Sequence, residues 1–280
     1  MRISATIQDP PVQPCNHIAN VLRGDMSSHT SAHARYQNIL GIRFFVGSAQ
    51  VAIDEVSRSG GLVVAPAAPA LKNLVHDKQY RDALLGADFA IADSAFMVVL
   101  WNAIQRDNIP KLSGLKYLRT LIDQPSLRQA GNSFWVMPSP AAARHNRVWL
   151  HRNHVAISDE DMYIAPIYGT DISDPALIEL LEKRRPKHVV LGLGGGTQEQ
   201  LGLYLKQHLS YLPAIHCIGA AIAFLTGDQV RIPIWADELG LGWLWRSASD
   251  PKRFGPRYWS ARHLTKLMIR YRDRLPVVAA

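Results

Sequence analysis

The 280-residue chain is 48% hydrophobic, carries 31 Lys and Arg against 23 Asp and Glu, and has two cysteines. These proportions exclude a largely disordered chain and a disulfide framework; Cys15 and Cys217 lie far apart without a CxxC or Cys/His cluster, which fits a reducing compartment. The formal charge of +8 calls for an anionic partner, which could be nucleic acid, a phosphate-bearing substrate or an acidic membrane surface.

Residues 1–36 mix Pro, Ser, His and Asn without period and read as a loose leader with no secretory-signal pattern. From Ile39 the pattern becomes organised: GIRFFVG, a helical stretch, and the apolar run Leu62 to Val64 broken by APAAP. A helix from Leu71 to Leu85 leads to a short strand, Phe89 to Ala92, that ends at Asp93 and is followed by an apolar helix through Trp101. The alternation repeats with a strand at Ser133 to Met137, the helical SPAAARHNRVWLHRN, a strand at Met162 to Ile164, the helix PALIELLEKRR and a strand from His188. Such alternation predicts an α/β fold with a mainly parallel, Rossmann-like sheet and helices on both faces. The longest apolar run near the C-terminus, Ile218 to Leu225, is well short of the ~20 residues needed to span a bilayer, so a cytoplasmic protein is expected.

Ligands of such sheets sit beyond the carboxyl ends of the strands, which directs attention to Ala65 to Pro69, Asp93 to Ala95, Pro138 to Pro140, Gly194 to Gln198 and Gly219 to Ala221. In HVVLGLGGGTQEQLGLYLK, a glycine loop before a helix N-terminus suits phosphate oxygens, while a purely packing role for the glycines is equally open. Thr197 and Gln200 have capping-box spacing, which places the helix start. Asp93 is a general-base candidate by position, with a helix cap as the plainer reading. Asp159-Glu160-Asp161 contains an Asp-x-Asp spacing but reads as a solvated turn, and His76, His145, His151, His154 and His188 show no metal-binding spacing.

The positive charge is concentrated at one end. Between Arg246 and Arg274 stand nine Lys and Arg against Asp250 and Asp273. Leu264, Leu267, Met268 and Tyr271 recur at helical spacing among Arg262, Lys266, Arg270 and Arg272, a basic amphipathic pattern suited to an anionic membrane surface. The other reading is a helix that packs its stripe on its own domain. No nucleic-acid motif accompanies the charge.

The stretch CIGAAIAFLTGDQVRIPIWADELGLGWLWRSASDPKRFGPRYW resembles the C-terminal signature of the WecG/TagA/CpsF glycosyltransferases. The matches are Gly219-Ala220-Ala221, Phe224-Leu225 with Gly227, Arg231-Ile232-Pro233 with Trp235, Trp243-Leu244 with Arg246, and Pro251, Arg253 and Arg257-Tyr258. Upstream, GLGGGTQE and ALLGADFAIADS look like two further blocks of the family. The resemblance implies a metal-independent, cofactor-free, inverting transferase that moves a sugar from a UDP-sugar donor to a polyprenyl-diphosphate-linked acceptor at the inner face of the cell membrane. It implies Asp93 as base, Gly194, Gly195, Gln198, Glu199, Gly219 and Ala220 around the donor, and Arg231, Arg246, Arg253 and Arg257 at the acceptor diphosphate or membrane. On this basis residues 37–229 form the catalytic domain and 230–280 a small helical appendage, and a homo-oligomer is left open. The chain departs from the family where Thr-x-Asn is replaced by Ala65 and Ala67, Gly-x-Asp by Gly114 with Lys116, and Phe-Asp by Ile222-Ala223.

Overall fold

A computed structural model describes residues 35–278, except 220, 229–232, 234–235, 237–241 and 261; the side chains of 243, 246–247, 253–254 and 256–258 also fall outside the description. The expected leader lies outside it, apart from two residues that already belong to the first strand.

The strands are β1 (Arg35–Ile39), β2 (Ile42–Val46), β3 (Gly61–Val64), β4 (Phe89–Ile91), β5 (Ser133–Met137), β6 (Met162–Ile164), β7 (His188–Leu191) and β8 (Ala214–Cys217). They form one sheet in the order β1-β2-β4-β3-β8-β7-β5-β6. Only β1 and β2 pair antiparallel; every other neighbour is parallel. β3, β7 and β8 read GLVV, HVVL and AIHC and are buried throughout, as central parallel strands covered on both faces require.

Alternate side chains feed two cores. Leu62, Val64, Leu191 and Cys217 face α3 (Lys78–Leu85), α4 (Ala95–Gln105), α8 (Pro175–Arg184) and α9 (Thr197–His208), after the short α2 (Ala68–Leu71). Val63, Trp135 and Val190 face α1 (Ala49–Ser59), α5 (Gly114–Ile122), α6 (Pro125–Arg128), α7 (Pro140–Arg152) and α10 (Ala221–Thr226). The expected Rossmann-like architecture, with helices on both faces, is present.

Two local expectations change. The helix expected over Leu71 to Leu85 is broken, because Asp77 accepts the Tyr80 N–H and starts α3 afresh after a 3₁₀ turn at Lys72–Val75. The apolar helix that begins after Ser94 runs on to Gln105.

The C-terminal helices are α11 (Gly242–Ser249), α12 (Pro251–Ser260) and α13 (Arg262–Tyr271). α13 packs on α4 and α2, with Leu264 and Met268 fully buried in the same core as Met97 and Trp101. Burying two such side chains stabilises the fold by roughly 1.5–3 kcal/mol each. The apolar stripe that suggested a membrane helix is thus used inside the domain, and any lipid contact has to come from the opposite side of α13. The tail beyond it is tied down as well. Leu40 and Gly41, the φ-positive pair of the β1–β2 turn, donate their N–H groups to Arg272 O and Asp273 O at 2.7 and 2.9 Å.

Candidate functional site

The carboxyl ends of four adjacent strands, β4, β3, β8 and β7, carry most of the described candidates. Asp93 leaves β4 half-buried. Its expected alternative as the cap of α4 falls to its neighbour, since Ser94 Oγ accepts the Met97 N–H at 3.2 Å. Asp93 Oδ1 instead accepts the N–H of Gly114, the first residue of α5, at 2.8 Å. Leu112 N–H donates to Ala92 O at 3.1 Å, so the chain entering α5 is laced to the end of β4. Ser113 caps α5 through the Lys116 N–H. The positive end of the α5 dipole therefore lies against the Asp93 carboxylate.

Gly114 is the meeting point of three strand ends. A methyl group there would lie 3.8 Å from Asp93 Oδ1, 3.8 Å from Ala65 Cβ and 3.7 Å from Ile218 O. Ala65, one of the two alanines noted in the sequence, thus shares the Gly114 corner with Asp93, whereas Lys116 is exposed.

On the neighbouring strands Gly194 and Gly195 are exposed, and a Cβ at either would meet nothing within 4 Å. Close packing is therefore no reason for glycine there. It is one at Gly202, whose Cβ would fall 2.6 Å from Leu62 and 2.8 Å from Cys217 Sγ. Gly196, at φ +97°, is the N-cap of α9, and Glu199 Oε2 accepts its N–H at 2.6 Å. The cap expected from Thr197 and Gln200 is accordingly shifted by one residue. An N-cap glycine has no side-chain oxygen for the sequence pattern to reveal.

Gln198 and Glu199 are buried and brace the loops. Gln198 Oε1 accepts the Gly219 N–H at 2.6 Å, and Gln198 Nε2 donates to Glu199 Oε1 at 3.0 Å. Cys217 Sγ–H donates to Gln198 O at 3.2 Å. Burial pushes the Glu199 carboxyl above its ordinary range, partly offset by the bonds from Gln198 and Gly196. Together these groups fix the β7–α9 loop against Gly219, which turns out of β8 at φ +59°.

Beside the glycine loop, a cleft of about 190 Å³ is lined by Met137, Pro138, Ala142, Gly192, Ile222, Ala223 and Asp228. Asp228 accepts from Thr226 Oγ1 at 2.8 Å and pairs with His145 Nδ1. Asp228 did not stand out in the sequence and His145 did so only among the scattered histidines, because the two lie 83 residues apart there. Ala220 and Arg231 lie outside the described residues. Arg246, Arg253 and Arg257 stand in α11 and α12, and their side chains lie outside the description.

The acidic run 159–161 sits before β6, at the opposite edge of the sheet. Asp161 closes a capping box with Ser158 and pairs with Arg184; Glu160 pairs with Arg184 and Asp159 with Arg147. Asp159 and Glu160 are exposed, as the expected solvated turn has them, whereas Asp161 is buried. His188 and His216, 28 residues apart, stack 5.5 Å between ring centroids in the core. Among the described residues no three His, Cys, Asp or Glu groups converge as metal ligands, and no helix is long and apolar enough to cross a membrane.

A mainly parallel sheet whose carboxyl edge gathers a half-buried carboxylate, an exposed glycine loop and a braced neighbouring turn defines a Rossmann-like α/β protein, a class in which ligands bind beyond that edge. The family model described as glycosyl transferase WecG/TagA/CpsF family matches residues 37–276, and the chain belongs to that family of glycosyltransferases. No curated protein matches the chain significantly. The family match runs from β1 into the tail beyond α13 and takes in the C-terminal helices.

Proposed function

We propose that the protein is an inverting hexosyltransferase that takes a sugar of N-acetylmannosamine type, its uronic acid or glucose from a UDP-sugar. The acceptor in this reading is a polyprenyl-diphosphate-linked saccharide at the inner face of the cell membrane, within cell-surface polysaccharide synthesis. The observation that carries the reading is the placing of Asp93 at the N-terminus of α5, on the same sheet edge as Gly194, Gly195 and Gly219. The acceptor hydroxyl attacks C1 of the donor sugar and gives its proton to Asp93, while the C1–O bond to the diphosphate breaks and UDP departs with the electron pair. Gly194 and Gly195 are the backbone against which the diphosphate is placed, with Gln198 and Glu199 holding that loop in position. Arg231, Arg246, Arg253 and Arg257 are assigned to diphosphate charge by their match to the family, a role that needs no metal.

The Ala65 methyl beside Gly114 favours a second reading, a noncatalytic relative that binds a nucleotide-sugar or a partner transferase. Thermal-shift measurements against a panel of UDP-sugars, followed by transfer assays with each stabilising donor, separate the two. Turnover with any donor supports the transferase. Stabilisation by UDP without turnover on polyprenyl-diphosphate acceptors supports the binding protein.

A further inference from the structure

α4 reads AFMVVLWNAIQ and contains no charged residue. Met97, Val98 and Trp101 turn into the core, whereas Phe96 is 41% and Val99 68% exposed, and Ala103 is exposed as well. Spacings of three and four place 96, 99 and 103 on one outward face. α13 packs directly on α4 and shares its core, so the outer sides of the two helices look away from the sheet together. On α13 that side carries the exposed Arg262, His263, Lys266, Ile269 and Arg270, with Ile269 58% exposed. Trp259, 70% exposed, precedes it and lies under the Arg262 guanidinium at 4.4 Å. Neither helix contains an acidic residue.

We infer that the outer face of α4 is a second lipid-docking surface, which acts with the outer side of α13 to seat the chain on an anionic bilayer. The inference rests on the membrane-bound reading of the proposed function. Charge selects the occupant. A second copy meeting this face would bring Arg262, Lys266 and Arg270 against their own counterparts, whereas anionic headgroups neutralise them and the interfacial region receives Phe96 and Val99. The arrangement also serves the site, because α4 starts directly after Asp93-Ser94. Docking through Phe96 brings the base to headgroup height, where a sugar on a lipid diphosphate presents its hydroxyl.

The test uses the full chain with Cys15→Ser, which leaves the buried Cys217 as the remaining native thiol. An environment-sensitive fluorophore is attached at Val99→Cys or, as a control on the opposite face of the sheet, at Arg58→Cys. Vesicles of phosphatidylcholine with and without phosphatidylglycerol are then added. The expected result is a blue-shifted, brighter signal at position 99 with anionic vesicles only, and no change at position 58. In co-sedimentation, Phe96→Ser combined with Val99→Ser should weaken anionic-vesicle binding about tenfold or more without lowering Tm. Wild-type binding to vesicles with no signal at 99 and no loss in the double variant overturns the α4 surface and leaves the membrane-bound reading standing. Absence of vesicle binding by the wild-type chain overturns both. A signal at 99 that rises with protein concentration in the absence of vesicles identifies a second copy as the occupant and overturns the inference.

Discussion

Asp93 Oδ1 accepts the backbone N–H of Gly114 at 2.8 Å, joining the end of β4 to the first turn of α5. The bond orients the carboxylate and fixes it against the N-terminus of α5. Asp93→Asn preserves an oxygen for the Gly114 N–H and removes the proton acceptor. The expected outcome is a transfer rate lower by roughly 10²- to 10⁴-fold, with Tm and donor binding close to wild type. Steady-state kinetics together with a thermal melt checks it, and an undiminished rate would remove Asp93 from the role of base.

Gln198 joins two loops by its side chain alone, accepting from Gly219 N–H and donating to the buried Glu199. Gln198→Ala leaves the buried Glu199 carboxyl and the half-buried Gly219 N–H without that partner, at a cost of about 1–3 kcal/mol. Because the glycine loop and the Gly219 turn would then move apart, donor KM should rise more than kcat falls. Chemical denaturation and donor titration give the two numbers. Loss of activity with unchanged stability would instead mark Gln198 as a direct donor contact.

Leu264 and Met268 determine whether the C-terminal helix is a detachable appendage or part of the core. Both are fully buried, so Leu264→Ala or Met268→Ala should cost about 2–5 kcal/mol by urea unfolding. Lys266→Ser and Arg270→Ser, on the exposed side, should stay within roughly 0.5 kcal/mol of wild type. Removing residues 262–280 should yield an unstable chain rather than a soluble enzyme, since the truncation uncovers Met97 and Trp101 and takes away the partners of Leu40 and Gly41.

How far these relationships are legible in the sequence depends on range. β3, β7 and β8 announce themselves because a strand covered on both faces must be apolar at every position, and Asp93 is marked by its place at a strand end. α5 carries a readable signal in Leu115, Leu118, Leu121 and Ile122, spaced for one helical face, yet nothing local says that its first N–H meets Asp93. The direction of the Leu264 stripe is equally invisible, because the same spacing serves a bilayer or a core. What decides it is the apolar face of α4, more than 150 residues earlier.

Tyr117, His216, His188 and Ser126 form a chain that the β7–β8 pairing and the packing of α5 and α6 on it bring together. Tyr117 Oη lies 2.9 Å from His216 Nδ1, His216 Nε2 lies 3.2 Å from His188 Nδ1, and His188 Nε2 lies 3.1 Å from Ser126 Oγ. With the proton of each imidazole on Nε2, Tyr117 donates to His216, His216 to His188 and His188 to Ser126, so two neutral rings satisfy every link. Burial, with the nearby Lys187 charge, lowers the pKa of His188 to about 4, and burial beside His188 drives His216 well below its usual value. In the unfolded chain both titrate near 6.5, so the folded state binds fewer protons once the pH falls below that value. Stability is therefore fully present above about pH 6.5 and is lost as the pH drops towards 4, with a slope of roughly 1.4 kcal/mol per pH unit for each histidine. Urea midpoints measured between pH 7.5 and 4.5 should show this fall. His188→Gln should flatten it by removing one of the two titrating rings, and an equally steep fall in that variant would assign the acid sensitivity to other groups.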